Sequence, residues 1–356
     1  MRRIMRRTRF SRTGFTGTLL TTVLLSWLPA QAEPVADFYR GKTIELAIGA
    51  GAAGGYDVAG RLIANHMSRH IPGRPTIVVR NMPGAVGLIV TNYLYGVAKR
   101  DGTVIGMTTS NIPLEPRLKL LSPDGRNMKF DLGRFSWLGT PLQEPQVTWV
   151  WQSAPAASFA DLKANSVLMG ATTPSADNYI LPTLVNRLLG TRMRVVPGYQ
   201  GQNDINLAVE RGELQGNNTG LSNLTVNKAD WMRDRKVRIL LQFGTERLAA
   251  LPDVPTAVEL APSAADRGLL RFYALKFNLA RPVLVPPDVP ADRVAALQAA
   301  FAETMRDPEY LDEAKRIGLD TNWLGAAGIA AKAREIMETP QPVPDRLRDL
   351  LARGAH

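Results

Sequence analysis

Apolar and polar positions alternate in two rhythms along the chain, and the rhythm switches at short intervals. Thr43-Ile44-Glu45-Leu46-Ala47-Ile48 has the compact apolar character of a strand and ends in a Gly/Ala loop. Ala59, Leu62, Ile63, His66 and Met67 then recur at helical spacing, until Ile71-Pro72-Gly73 breaks the pattern. Thr76 to Val79 predicts a second strand, Leu88 to Val97 a helix, and Val104 to Thr108 a third strand. This βαβαβ order implies a parallel sheet with helices on both faces.

The middle of the chain repeats the style. Strands are expected at 147–151, 167–170, 194–196 and 237–243, the last read as a buried parallel strand. Helices are expected at Phe159 to Leu162, about Asp177 to Leu189, where Pro182 limits the first turn, and Asp204 to Arg211. Phe272 to Phe277 reads as a strand by which the chain returns to the first domain. The tail is mostly helical, with Val294, Leu297, Phe301 and Met305 on one face of 291–305. Further helices are expected at 310–317 and about 326–337.

The N-terminus changes the picture of where the chain works. Arg2, Arg3, Arg6, Arg7, Arg9 and Arg12 precede an apolar run from Leu19 to Leu28, which closes on Ala30-Gln31-Ala32. That order reads as a secretory signal peptide cut after Ala32, and the run is shorter than the ~20 residues a bilayer span needs. Residues 1–32 are therefore set apart, and the mature chain is long enough for two domains. The formal charge of +11 falls by six with those arginines. What remains lacks the dense basic runs interleaved with aromatics that nucleic acid requires. With no Cys in the chain, disulfides, thiolate metal sites and thiol nucleophiles are excluded.

Gly49-Ala50-Gly51-Ala52-Ala53-Gly54 matches G-x-G-x-x-G between a strand and a helix. A dinucleotide site also wants an acidic residue at the end of the second strand. The position here is near Arg80-Asn81, which disfavours NAD and leaves NADP formally open. Backbone N–H groups at such a helix start bind any small anion, a carboxylate included. Asp57 cannot attract an anion and is expected to stabilise the helix start instead.

Six segments in order resemble the tripartite tricarboxylate transporter receptors, also called the Bug family, over nearly the whole mature chain. Residues 51–57 (GAAGGYD) occupy the place of a P-P-G-G-G-T-D-like loop, and 80–87 (RNMPGAVG) that of E-N-R-P-G-A-G-G. Asp101-Gly102-Thr103-Val104-Ile105-Gly106 resembles D-G-Y-T-L-L, and Tyr199-Gln200-Gly201 a Y-x-G segment. Leu251-Pro252-Asp253-Val254-Pro255-Thr256 is intact, and 285–290 matches A-P-x-x-x-P loosely.

The resemblance implies a two-lobed α/β periplasmic binding protein of type II, a Venus-flytrap with two crossovers. Lobe 1 is expected from 33–143 and 256–356, and lobe 2 from 144–255. It implies a periplasmic monomer that takes no cofactor, is not an enzyme, holds a small carboxylate and delivers it to a tripartite membrane permease. Carried over by position, the contacts are Gly54, Gly55, Tyr56, Ala85 and Ser110 from the first lobe. Thr172, Thr173, Ser175, Asn178, Tyr199 and Gly201 come from the second. Hydroxyls and amides suit carboxylate oxygens on chemistry alone. The chain departs from the pattern where a family Gly is Ala53 and a small Thr is Tyr56. A phenol there either stacks on a longer or aromatic ligand, closes the rim, or packs outside the cleft.

Other residues read as structural. His66 and His70 share a helix face, but no acidic residue of that face joins them, so no metal site is expected. Trp149 and Trp151 point to one side of a strand and are expected in the core. The segment 216–220 (GNNTG) reads as a cleft-side loop or a simple turn. No G-x-S-x-G elbow or acid pair suggests hydrolysis. A sensor serving a signalling partner and an exported dinucleotide oxidoreductase are the alternatives.

Overall fold

A computed structural model describes residues 34–352. The expected signal peptide and its cleavage position lie outside the described residues. The chain forms two sheets. It begins with β1 (Thr43–Ile48), β2 (Thr76–Asn81), β3 (Val104–Met107) and β4 (Ser136–Thr140), crosses over, and builds the second sheet. That sheet holds β5 (Gln146–Trp151), β6 (Val167–Gly170), β7 (Met193–Val196), β8 (Gly216–Gly220) and β9 (Val237–Phe243). The chain then returns to add β10 (Val283–Val285) and β11 (Leu324–Gly325) to the first sheet.

The first sheet has the order β11-β4-β10-β3-β1-β2, and the second β7-β6-β8-β5-β9. In the first, β1 runs parallel to β2 and β3, while β10 is antiparallel to β3 and β4. In the second, β6 is parallel to β7 and β8, and β5 is antiparallel to β8 and β9. Together they make the two-lobed α/β architecture with two crossovers.

Three expectations about elements are overturned. Phe272 to Phe277 is helical, in a helix Ala264–Ala274 that tightens into a 3-10 turn Leu275–Leu279. A short buried apolar run does not distinguish strand from helix by itself. The deciding signal is upstream, where the Ser263 side chain accepts from the Asp266 N–H and caps the helix. The returning strand is β10, further along the chain. The segment 216–220 is the central strand β8, buried throughout, although its composition is that of a turn. A Cβ at Gly216 would stand 2.4 Å from the Trp149 carbonyl oxygen, so close strand approach demands glycine there. The strand 237–243 pairs antiparallel at the sheet edge, not parallel within it.

Trp149 is fully buried and, with Trp151, packs on Trp231 in the core of the second sheet, at ring separations of 5.5 and 5.0 Å. His66 is buried as expected, but acids reach both histidines from elsewhere in the fold. His66 Nε2 lies 2.7 Å from Glu313, and His70 Nε2 lies 2.8 Å from Asp307. Among the described residues no group of three or more His, Cys, Asp or Glu side chains could hold a metal ion. Among them, too, no helix is long and apolar enough to cross a membrane.

Candidate functional site

The loops that follow β1, β2 and β3 lie at the carboxyl ends of parallel strands, where open α/β sheets place their ligands. The turn after β2 is unusual. Gly84, Ala85, Val86 and Gly87 all have positive φ, at 135°, 44°, 52° and 90°. For Val86, a β-branched residue, this is a strained conformation. It is held by Thr109, whose hydroxyl donates to the Val86 carbonyl at 2.6 Å. A Cβ on Gly87 would come within 3.0 Å of Thr108 and Thr109, so the turn sits directly on the loop after β3.

The glycine loop after β1 is closed by its own helix. Asp57, buried in the first turn of the helix Gly55–Met67, accepts from the Ala53 N–H at 2.8 Å and the Asn81 amide at 2.9 Å. Arg61 donates to the same carboxylate at 3.0 Å. That bond outweighs burial and, with those from Ala53 and Asn81, holds the Asp57 carboxyl down at about 2. A carboxylate thus stands where a pyrophosphate would need the loop's N–H groups.

Gly54 caps that helix, and the Arg281 guanidinium lies against Gly55. Tyr56 turns its hydroxyl into the fold, donating to the Ala280 carbonyl at 2.8 Å and accepting from the Ser110 N–H at 3.3 Å. Burial pushes the phenol up. In the second lobe, the Thr172 N–H and hydroxyl both donate to Asn178 Oδ1, at 3.2 and 3.3 Å. The hydroxyls of Thr173 and Ser175 are 3.2 Å apart. The Tyr199 N–H bonds to the Ala171 carbonyl, and Gly201 caps the helix Gln202–Glu210.

A cavity of about 620 Å³ opens between the lobes. Its first wall carries Val86, Asn111 and the leucines of residues 114–121; its second runs from Thr173 to Ile180. Tyr273 and Leu351 close it from the returning chain. Of the expected contacts, Thr173 and Ser175 line this cavity. Ala85 and Ser110 adjoin the lining residues Val86 and Asn111. Gly54, Gly55, Tyr56, Thr172, Asn178, Tyr199 and Gly201 are not among its lining residues.

Sequence reasoning missed the charges that bridge the lobes. Lys276, only 3% exposed, reaches Asp177 of the second lobe at 2.8 Å and Asn111 of the first at 3.1 Å. The Tyr273 hydroxyl donates to the same Asp177 oxygen at 2.7 Å, and burial with that charge pushes the phenol well up. A lysine inside the apolar run 272–279 was the available signal, since a buried ammonium needs a paired anion. At the first crossover, burial pushes the Glu144 carboxyl up, opposed by Arg281 and reinforced by Asp177 and Asp320.

No family model matches the chain. It is 25% identical over 328 residues to the "UPF0065 protein in gbd 5'region" of Cupriavidus necator, covering 91% of this chain and 92% of that protein. It is 26% identical over 312 residues to the "UPF0065 protein in the TAR-I ttuE-ttuC' intergenic region" of Agrobacterium vitis, covering 85% and 82%. In structure it resembles a TctC solute binding protein from Polaromonas, with a TM-score of 0.66 at 19% identity over 88% and 99% of the two chains. The periplasmic binding protein BugD gives 0.55 at 19% identity over 89% and 98%. MatC from Rhodopseudomonas palustris, with bound malate, gives 0.52 at 19% over 87% and 99%. The likeness to the tripartite tricarboxylate receptors therefore holds beyond the motifs: this chain has the two-lobed fold of the TctC and Bug solute-binding proteins.

Proposed function

We propose that the protein is a periplasmic receptor that captures a small carboxylate between its lobes and delivers it to a tripartite tricarboxylate-type membrane permease. The observation that carries this reading is the interlobe cavity itself. Its second wall brings the Thr173 and Ser175 hydroxyls to the start of the helix Asp177–Leu189, and Asn111 lines the first wall. Hydroxyl and amide donors at a helix N-terminus suit an anion of modest size. MatC, with its bound malate, has the same fold and is consistent with a carboxylate ligand. The permease rests on the resemblance to the receptors of that transport system. A binding role without catalysis is part of the proposal, supported by the likeness to the TctC and BugD binding proteins.

Lobe closure would come from contacts that the ligand makes with both walls at once, which favours the closed form by differential affinity. Calorimetric titration of ligand-stripped protein with a panel of mono-, di- and tricarboxylates tests this. One-to-one saturable binding of one class is expected, with at least a tenfold loss in a Thr173→Val, Ser175→Ala double variant. Binding that ignores the double variant would remove the cavity from the account.

A further inference from the structure

The receptor reading leaves open what kind of carboxylate is taken, and the walls of the cavity bear on it. Most of the lining is aliphatic: Leu114, Leu118, Leu120 and Leu121 from one lobe, Ile180 from the other, and Leu351 from the C-terminal helix. Two of the apolar side chains remain largely open to solvent, Val86 at 47% and Leu120 at 45% exposed. Val86 keeps its branched side chain at the cavity despite a φ of 52°, which glycine would adopt without strain. Strain retained beside a cavity points to a use for the side chain.

The charges point the same way. Among the described residues no Lys, Arg or His lines the cavity. The nearby Lys276 is already paired with Asp177 at 2.8 Å. The acid that does line it, Glu115, accepts from the N–H groups of Leu120, Leu121 and Ser122, at 3.2, 2.8 and 2.9 Å. Those bonds hold its oxygens as acceptors, so it has no donor for a second carboxylate and would repel one. Among the lining residues the Thr173 and Ser175 hydroxyls stand together, 3.2 Å apart. Asn111 is tied through Lys276 to Asp177, two residues beyond Ser175, and the Tyr273 hydroxyl is spent on that same carboxylate. The volume would hold about twenty waters, far more than a four-carbon acid displaces.

We propose, resting on the receptor reading, that the ligand is a monocarboxylate with an extended hydrocarbon body. Its head sits at Thr173 and Ser175, and its tail lies along the leucine wall under Val86. Among the described lining residues no cation is placed to pair a polycarboxylate's second charge, which would have to be buried against leucines at a cost. Each methylene laid on that wall instead adds affinity by leaving water.

The test is calorimetry on the full mature protein with hexanoate, octanoate and decanoate, beside malate, citrate, adipate and suberate. The dissociation constant should fall about fourfold for each added methylene along the monoacids. Adipate and suberate should bind at least tenfold more weakly than the monoacids of equal length. Val86→Gly, which the backbone accommodates, and Leu120→Asp, at a half-open position, should both flatten the chain-length dependence; thermal melts check that each variant folds. Diacids that bind more tightly than matched monoacids would overturn the inference and leave the receptor reading standing. So would a monoacid series with no chain-length dependence, or one that neither variant alters. Failure of every carboxylate to bind would overturn both.

Discussion

The Lys276 ammonium and the Asp177 carboxylate meet at 2.8 Å across the boundary between the lobes, one from the returning chain and one from the first turn of a second-lobe helix. The lysine is almost fully buried, and Tyr273 and Asn111 complete its surroundings. This contact sits beside the cavity, so it links the relative placement of the lobes to the shape of the site. A buried pair of this kind is costly to break from one side, because the remaining charge keeps its desolvation penalty.

Lys276→Met is expected to lower stability by about 2 kcal/mol, since Asp177 retains some access to water. Denaturant unfolding of Lys276→Met, Asp177→Asn and the double variant checks it. The double variant should be less destabilised than the sum of the two singles, which is the signature of a coupled pair.

Asp57 gives a pH dependence of defined sign. Its carboxyl titrates at about 2 in the folded chain, against 3.8 for an unperturbed aspartate. A depressed value stabilises the fold above the unfolded pKa, and that stabilisation is lost as pH falls from about 4 toward 2. The contribution is on the order of 2 kcal/mol. Asp57→Asn should be less stable than the parent at neutral pH, and the gap should narrow over that acid range.

Tyr56→Phe removes a hydroxyl that bonds Ala280 and Ser110 inside the first lobe. A loss of about 1 kcal/mol is expected in thermal unfolding. With the phenol turned inward, ligand affinity should change by less than about threefold. A larger loss of affinity would show that the hydroxyl or its Ser110 neighbour reaches the ligand after all.

The parts of the fold legible in the sequence are those with a strong local rhythm. β1, β6 and β9 run over the residues their apolar patterns mark, and the helix Asp177–Leu189 does the same despite Pro182. What was not legible depends on partners distant in sequence. β8 reads as a turn because Gly and Asn dominate it, and only the close approach of Trp149 explains the glycine. The helix at 272–277 looks like a strand because every face of it meets protein, which erases the helical period. At the site, Thr173 and Ser175, singled out in the sequence for their hydroxyls, do line the cavity. Lys276, Asn111 and Tyr273 were not singled out, because their meaning comes from Asp177 arriving from the other lobe. Tyr56 shows the reverse case, where a side chain that reads as a ligand contact spends its hydroxyl on the fold.

A carboxylate bound between the lobes would stabilise the folded chain. Thermal unfolding of the ligand-stripped protein, with and without each carboxylate class and with NADP beside them, tests it most directly. A ligand at 100 times its dissociation constant adds about 2.7 kcal/mol to the folded state, enough for a clear rise in melting temperature. A saturable rise is expected with one carboxylate class, lost in the Thr173→Val, Ser175→Ala variant. No rise with any carboxylate, together with a clear one from NADP, would contradict it and return attention to the glycine loop after β1.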